Sequence, residues 1–491
     1  MLATALTSIA AAAAAASMST AIVTTDQAVL RAAPRDGAQQ QAQLWQGEVL
    51  EVRGERLDYL QVWDHRRERG GFVKASQVKR TTLAPAEAPE LLAVLRFVRE
   101  APNAEALGIG LAAAYLQAAP AEVVRGESGS EALEALGSFA DRLAQRASGA
   151  AASSKQAQAA LSAHLEVAAS YGIKFASYEH DGKIRLCYDG DAFRRVLAMP
   201  ASSPAKARAA LALTQPECVD PNLRAAERHQ VHVWQTGVLD RVEVQALPPH
   251  LRARVLMRRA SVWSTVAYEK ARLGQAADAA AQRAQTELGG VQASALTDDD
   301  QATYNDAVMR VNASRWAAVP IEGDAPAASG TRPSIVTQAG QPGETCVLLV
   351  DAKRGVANPL ARRCTYAWVW PQSTTVNREG TAVALAVQPM AGWRELWLFR
   401  RGADKQWAID VLPPASLQPE LGYAEFAGWV PGGKEVLVAR EARGDGRYRR
   451  SYEVVSLDAL VTRRQAADPG ALGPFQRWQD PAWKRATVSL R

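Results

Sequence analysis

The spacing of hydrophobic residues changes twice along the chain, and this change constrains the fold more than any other sequence feature. Hydrophobic and polar residues alternate over 22–80 and over 346–491, which is typical of strands. Over 86–320 the hydrophobic residues recur every three to four positions, which is typical of helices. The sequence therefore predicts a multi-domain α+β protein: a small N-terminal β-barrel, a central α-helical domain and a C-terminal antiparallel β domain.

The limits of these domains follow from turn-rich segments. Residues 321–345 are rich in Gly, Pro, Ala, Ser and Thr and are predicted to be a linker. A β-hairpin is predicted at 174–188, inside the helical domain, because Asp181-Gly182 provides a tight turn between two alternating runs. The 491 residues suffice for about three domains of ~150 residues each.

Four short motifs follow one another in the N-terminal region. They are Ala28–Pro34 (AVLRAAP), Leu44–Val52 (LWQGEVLEV), Tyr59–Val62 (YLQV) and Gly71–Val73 (GFV). Their order resembles the bacterial SH3-like family, in which L-N-V-R-x-x-P, L-x-x-G-x-x-V-x-V, W-x-x-V and G-W-V occur in sequence. Tyr59 and Phe72 replace two tryptophans of that pattern. The resemblance implies a small barrel that binds cell-wall peptides or protein partners.

Three aromatic residues of this region are candidate ligand-binding residues: Tyr59, Trp63 and Phe72. Together they would offer an aromatic groove. The alternative is that all three belong to the core of the barrel.

The first residues predict export. Met1–Ala16 is an alanine-rich apolar run of the length of a signal-peptide core, and we expect a signal peptide over 1–21. Cleavage is expected near Ala14–Ala16, with Ser19-Thr20-Ala21 as a second candidate, although no Lys or Arg precedes the apolar run. The alternatives are an unstructured alanine-rich terminus or an alanine helix. No later run reaches ~18 apolar residues, so the mature chain is expected to be periplasmic or secreted, without a transmembrane segment.

Four cysteines allow three pairings. A local pairing, Cys187 with Cys218 and Cys346 with Cys364, keeps each disulfide within one predicted domain, and we expect it in an oxidising compartment. Without export, all four would be buried thiols.

The C-terminal region contains two similar segments. Asn377–Val387 leads to a strand at 395–399, and Pro431–Ala439 leads to a strand at 452–455. Both resemble blades of TolB-like propellers, which implies a partial propeller; the alternative is a plain antiparallel sheet. Phe475, Trp478 and Trp483 near the end of the chain are expected to dock on this domain rather than on a partner.

Two sets of polar residues are candidates for chemistry. Arg443, Arg447, Arg449 and Arg450 crowd one predicted hairpin and are candidates for anion binding; the alternative is a solvated hairpin tip. His229 and His232 lie one helical turn apart, but no carboxylate follows at metalloprotease spacing, so no metal site is predicted. No nucleophile-elbow, H-E-x-x-H, Walker or dinucleotide-binding glycine motif occurs, so no catalytic residue or cofactor is predicted.

These observations favour a non-enzymatic cell-envelope binding or scaffolding protein. Its partner is expected to be a cell-wall peptide or an envelope protein. The net charge of +6 lies in 335–491 and is interspersed with acidic residues, and an exported protein is not expected to bind nucleic acid. The alternative is an envelope hydrolase acting on cell-wall material, with the barrel as a targeting module. The sequence sets no oligomeric state.

Overall fold

The computed structural model describes residues 19–149, 154–180, 182–320, 332–416 and 420–486. It is a mixed α+β structure with an N-terminal antiparallel sheet, a helical middle and C-terminal β-sheets. The apolar run Met1–Ala16 and the Ala14–Ala16 cleavage site lie outside the described residues. The chain divides into two compact units, residues 1–221 and 222–491. Within the described residues, no helix has the length and hydrophobicity needed to cross a membrane.

The first unit begins with an antiparallel sheet of short strands. Its strands are β1 (Thr20–Val23), β2 (Ala28–Arg31), β3 (Gln40–Leu44), β4 (Val49–Arg56), β5 (Tyr59–Asp64), β6 (Arg69–Lys74) and β7 (Val78–Thr81). They pair in the order β3-β2-β6-β5-β4-β1-β7. One face of this sheet carries a core of buried aliphatic side chains, which includes Leu30, Leu44, Leu50, Leu60, Val62 and Val73.

The edges of this sheet bear on two predictions. Pairing among the described residues leaves β3 and β7 as edge strands, so closure into a barrel stays a prediction. Strand β1 begins at Thr20, and Ala21 pairs with Leu50 on one side and Arg80 on the other. The boundary predicted between residues 21 and 22 would therefore cut this strand.

Helices follow the sheet in the first unit. They are α1 (Ala88–Val98), α2 (Glu105–Ala118), α3 (Ala121–Val124), α4 (Glu127–Gly149), α5 (Lys155–Ser170), α6 (Asp191–Ala198) and α7 (Ser203–Leu213). Helices α2 and α4 pack closely because Gly108 lies against Phe139; a Cβ atom at Gly108 would lie 2.3 Å from the Phe139 ring. Ile22 of β1 joins the helical core, which fixes the sheet to the helices.

A hairpin follows the fifth helix. Strands β8 (Phe175–His180) and β9 (Lys183–Tyr188) pair antiparallel within the predicted range, and Asp181 of its turn lies outside the described residues. Cys187 of β9 forms a disulfide with Cys218, with Cα atoms 5.8 Å apart.

Four helices open the second unit: α8 (Ala225–Asp240), α9 (Pro249–Arg272), α10 (Asp278–Gly289) and α11 (Asp300–Ser314). Helices α9, α10 and α11 share a core that contains Met257, Ala284, Leu288 and Val308. Helix α9 is buried on more than one side, since Val255, Leu256 and Met257 are consecutive buried residues.

A three-stranded sheet comes next, made of β10 (Ser334–Ala339), β11 (Thr345–Val350) and β12 (Ala361–Thr365). Strand β10 lies inside the segment predicted as a linker, of which 321–331 is outside the described residues. Cys346 and Cys364 face each other in the β11–β12 ladder and form the second disulfide. Both local pairings predicted from the sequence are thus present.

The largest sheet contains β13 (Trp368–Val376), β14 (Ala382–Met390), β15 (Trp393–Arg401), β16 (Trp407–Leu412), β17 (Leu421–Val430), β18 (Glu435–Gly444), β19 (Arg447–Ser456) and β20 (Thr462–Ala466). The similar segments of the sequence correspond to the β14–β15 and β18–β19 hairpins. Between these hairpins, the described residues of β15 and β17 pair in parallel at Trp393–Gly422 and Arg394–Tyr423. A propeller arrangement stays a prediction.

The end of the chain packs on this sheet. Helices α12 (Gly473–Trp478) and α13 (Pro481–Ala486) place Phe475 and Trp483 in a buried cluster with Tyr452. Trp478 is exposed. Two of the three terminal aromatics therefore dock on their own unit, as expected.

Candidate functional site

The three aromatic candidates of the N-terminal region share one face of the first sheet. In β5, Leu60 and Val62 point into the core, so the alternate residues Tyr59 and Trp63 lie on the opposite face. Phe72 of β6 pairs with Gln61, which lies between Tyr59 and Trp63 in β5. Because paired residues point to the same face, Phe72 lies on the same face as Tyr59 and Trp63. On this aromatic face (Tyr59, Trp63 and Phe72), Trp63 and Phe72 are partly exposed, whereas Tyr59 is buried.

An ion pair covers the Tyr59 end of the aromatic face. The Tyr59 hydroxyl donates to Asp36 Oδ1 at 2.6 Å, and Lys74 Nζ lies 2.7 Å from the same carboxylate oxygen. The hydrogen bond to Asp36 raises the pKa of Tyr59, and the hydrogen bond from Lys74 lowers the pKa of Asp36. Lys74 Nζ also lies 5.9 Å from the Tyr59 ring centroid, and Tyr59 is only 2% exposed. This end therefore offers a charged rim and little aromatic surface.

A second ionic group flanks Trp63. The Arg53 guanidinium lies 4.5 Å from the Trp63 ring centroid and donates from Nε to Glu51 Oε1 at 3.0 Å. His65 Nε2 lies 2.6 Å from Glu51 Oε2. Hydrogen bonds from Arg53 and then His65 hold the pKa of Glu51 below its usual value. Arg53 is thus fixed over the tryptophan.

Glycine shapes the surface between these groups. Gly70 faces Trp63 across the β5–β6 ladder, and a Cβ atom there would lie 3.3 Å from Trp63 Cε3. The absence of a side chain lets the indole lie against the β6 backbone. The result is a partly exposed strip of Trp63 and Phe72 with an ionic group at each end, which suits an extended ligand that makes apolar and charged contacts.

The C-terminal arginines do not form a single cluster. The β18–β19 hairpin turns at Asp445-Gly446, and both turn residues have positive φ. Arg443 faces helix α11 and pairs with Asp306 and Glu420. Arg450 faces Glu441 on the same side of the ladder. Arg447 and Arg449 point to the other side and are exposed, so strand alternation divides the four residues between two faces.

A buried histidine joins the first sheet to its helices. His164 of α5 is 2% exposed; its Nε2 lies 2.8 Å from Asp26 Oδ1 and its Nδ1 lies 2.8 Å from Arg146 Nη2. A guanidinium only donates, so Nδ1 accepts and Nε2 carries the proton that is donated to Asp26. Burial alone would raise the pKa of Asp26, but the hydrogen bonds from His164 and from the Gln46 N–H outweigh it and lower the pKa. Both ring nitrogens are occupied, so this pair holds structure rather than acting as a base.

A second histidine cluster brings in a carboxylate that the sequence interpretation missed. His229 and His232 of α8 both contact Glu269 of α9, at 3.1 and 2.8 Å from Nδ1 to the carboxylate oxygens. Glu269 follows 37 to 40 residues later on another helix. Glu269 is too far along the chain to belong to a local metal-binding motif with the two histidines. Only the packing of α9 against α8 brings its carboxylate to both rings.

Glu344 lies beside the sulfur atoms of Cys346 and Cys364. Those sulfurs form a disulfide and offer no thiolate. This group is therefore not a metal site in the oxidised protein.

A buried ionic network joins helix and sheet in the second unit. Glu425 of β17 accepts hydrogen bonds from Arg315, which follows α11, and from Arg394 of β15. Arg394 Nη1 also donates to the Asn312 carbonyl oxygen at 2.6 Å. Burial alone would raise the pKa of Glu425, but the guanidinium groups of Arg315 and Arg394 outweigh it and lower the pKa. These side chains were not predicted, because charged residues far apart in sequence give no local signal.

Comparison of the chain with protein-family models, with curated proteins and with solved structures gives no match.

Proposed function

We propose that this protein is a non-enzymatic binding protein of the cell envelope, and that the aromatic face of its N-terminal sheet is an SH3-like surface for an extended peptide of the cell wall. The observation that carries the proposal is the position of Trp63 and Phe72, which are partly exposed on the face turned away from the aliphatic core, with the buried Tyr59 beside them. Aromatic side chains outside a core give a large contact area at a low cost in conformational entropy.

The charges around the aromatic face favour a peptide over a polyanion. Asp36 with Lys74 at one end and Glu51 with Arg53 at the other each combine both signs. A ligand with ammonium and carboxylate groups can exchange ion pairs with both ends. A polyanion would meet Asp36 and Glu51 as well as the cations, and like charges brought together weaken binding.

Calorimetric titration of the oxidised full-length chain with a purified cell-wall stem peptide tests this proposal. Trp63→Ala and Phe72→Ala should each weaken binding about tenfold, the effect of losing roughly 1.4 kcal/mol at an aromatic contact. Phe97→Ala is the matched control, because Phe97 lies on α1 of the same unit and is 85% exposed.

Two results would overturn the proposal. The first is absence of binding to both the stem peptide and sedimented peptidoglycan. The second is an affinity that Trp63→Ala and Phe97→Ala leave equally unchanged, which would place the ligand elsewhere.

The two disulfides support a place in the envelope, because such bonds persist in oxidising compartments. We expect processing near Ala14–Ala16 rather than after Ala21. Cleavage after Ala21 would remove Thr20 and Ala21 from β1, where Ala21 is fully buried.

Intact-mass measurement of the chain recovered from the periplasm of a bacterial host checks the processing site. A mature chain that begins between residues 15 and 19 is expected. A chain that keeps Met1, or begins at Ile22, would contradict the export proposal or the role of β1 respectively.

A further inference from the structure

The terminal helices α12 and α13 lie on one face of the largest sheet. Phe475 of α12 and Trp483 of α13 are buried against Tyr452 of β19, with ring centroids 5.6 and 6.3 Å from that of the tyrosine. The backbone N–H of Asp480, between the two helices, donates to the Ala427 carbonyl oxygen of β17 at 2.7 Å. A buried core and a backbone hydrogen bond therefore hold both helices in place on the sheet.

One row of paired residues connects this terminal segment to the edge strand β20. Gly428 of β17 pairs with Leu437, Leu437 pairs with Val454, and Val454 pairs with Arg464 of β20. A Cβ atom at Gly428 would overlap the Trp478 carbonyl oxygen, so Trp478 lies over the other end of this row. Leu437 and Val454 belong to the core beneath the helices, and paired residues share a face, so Arg464 lies on the helix side of the sheet. Three steps between neighbouring strands separate the two ends by roughly 14 Å.

Four cations and one indole are exposed on this side of the sheet. Arg477 and Trp478 end α12, Lys484 and Arg485 lie in the last turn of α13, and Arg464 lies on β20. Trp478 is 44% exposed, although the other aromatic residues of the terminal helices are buried. These five residues form the terminal patch.

The cations of the terminal patch differ from three other arginines of the same sheet. Arg400, Arg440 and Arg443 each pair with a carboxylate. Among the residues that the structure describes, the four cations of the patch have no carboxylate at ion-pair distance. The two acids between residues 464 and 485, Asp468 and Asp480, accept hydrogen bonds from backbone N–H groups instead. The patch therefore presents an excess of positive charge to solvent.

We propose that the terminal patch binds the surface of a phospholipid bilayer that contains anionic headgroups. A lysine or arginine close to such a surface strengthens binding about fivefold, which corresponds to about 1 kcal/mol. An exposed tryptophan suits the same surface, because its ring prefers the boundary between the headgroups and the apolar layer. A soluble polyanion offers the negative charge but has no apolar layer for the indole of Trp478. The proposal is independent of peptide binding, which concerns the first unit.

Sedimentation with lipid vesicles tests the proposal on the oxidised chain recovered from the periplasm of a bacterial host. We expect binding to vesicles of phosphatidylcholine and phosphatidylglycerol in equal parts, weakened by added salt, and little binding to phosphatidylcholine alone. The double variant Lys484→Gln, Arg485→Gln should bind the anionic vesicles about 30-fold more weakly. The matched control is the double variant Arg447→Gln, Arg449→Gln, which removes two exposed arginines from the opposite face of the sheet.

Two further variants define the patch. Arg464→Gln lies on β20, outside both helices, and should weaken binding about fivefold without disturbing their docking. Trp478→Ala should weaken binding to vesicles several-fold and leave binding to dextran sulfate, a soluble polyanion, unchanged. Circular dichroism of each variant checks that the fold is kept, as expected for substitutions of exposed side chains.

Three results would overturn the proposal. The first is equal binding to vesicles with and without phosphatidylglycerol. The second is a loss in the Arg447, Arg449 control as large as that in the Lys484, Arg485 variant, which would indicate an effect of net charge alone. The third is a Trp478→Ala variant that binds vesicles like the wild type while dextran sulfate binds as tightly as the vesicles, which would identify a surface for polyanions.

Discussion

Both units join helices to a sheet through buried charged groups, but the two junctions are built differently. In the first unit, His164 lies between Asp26 and Arg146, and the Asp26 side chain is 30% exposed. In the second unit, Glu425 lies between Arg315 and Arg394, and all three side chains are at most 6% exposed. A charged group that reaches water can rehydrate when it loses its partner, whereas one that is fully buried cannot. Substitution of a charged residue should therefore lower the free energy of unfolding far more at the second junction than at the first.

The largest effect is expected from Glu425→Gln. The substitution leaves Arg315 and Arg394 buried without a negative partner, and loss of one member of a buried ionic network costs about 3–5 kcal/mol. Urea denaturation should show this loss in the free energy of unfolding, and hydrogen exchange should place it in α11, β15 and β17. Glu435→Gln, at the start of β18 and outside the network, is the control. A loss below 1 kcal/mol would show that the network does not hold the helix to the sheet.

The disulfides provide the next comparison. Cys187 and Cys218 are 31 residues apart, and Cys346 and Cys364 are 18 apart. Loop entropy predicts stabilisation of about 3.7 kcal/mol for the first and about 3.2 kcal/mol for the second. Paired Cys→Ser variants, followed by unit-resolved hydrogen exchange, measure both. If the Cys346–Cys364 disulfide stabilises the chain more than the Cys187–Cys218 disulfide, the β11–β12 ladder rather than loop length determines how much each disulfide contributes to stability.

Asp26→Asn tests the junction of the first unit. It should cost about 1.5–3 kcal/mol at neutral pH, the range for a hydrogen bond to a charged group. The pKa of Asp26 is lowered in the folded chain. Its contribution is therefore complete above the unfolded pKa of about 3.9 and is lost as pH falls through the lower folded pKa.

Denaturation of wild type and Asp26→Asn between pH 7 and pH 2 checks that sign. The difference between the two proteins should shrink below about pH 4. A difference that grows on acidification would exclude an ionised Asp26 as the partner of His164.

The smallest effect is expected from Tyr171→Phe. The Tyr171 hydroxyl donates to the Gly47 carbonyl oxygen at 2.6 Å, where the β3–β4 turn meets the end of α5. Removal of the hydroxyl should cost about 0.5–1.5 kcal/mol, because the buried carbonyl loses a neutral hydrogen bond. Thermal unfolding measures it. A cost equal to that of Glu425→Gln would erase the contrast between the two junctions.

Local patterns in the sequence predicted the features that depend on neighbouring residues. Alternation in β5 separates Leu60 and Val62 from Tyr59 and Trp63, and each cysteine pair lies within a short segment. The same alternation, combined with the Asp445-Gly446 turn, would also have separated Arg443 from Arg447. The sequence thus contained the information that divides these arginines between two faces.

Contacts between side chains that are far apart in the sequence could not be predicted. Asp26 meets His164 across 138 residues, and Arg315 meets Glu425 across 110. Only the packing of complete elements brings these side chains together, and a single sequence does not specify that packing. The carboxylate behind His229 and His232 was missed for the same reason.

The seam between β15 and β17 has a mechanical consequence. The described residues of these strands pair only at Trp393–Gly422 and Arg394–Tyr423. Strands β17 and β18, in contrast, pair along the whole length from Leu421 to Val430. The Arg394–Glu425 ion pair crosses this seam. Side-chain interactions therefore hold β15 to β17, whereas backbone hydrogen bonds hold the other neighbouring strands together. Under a pulling force the sheet should part at this line into two halves, each keeping its own hairpin. Such halves have the edges needed to exchange between two copies of the chain.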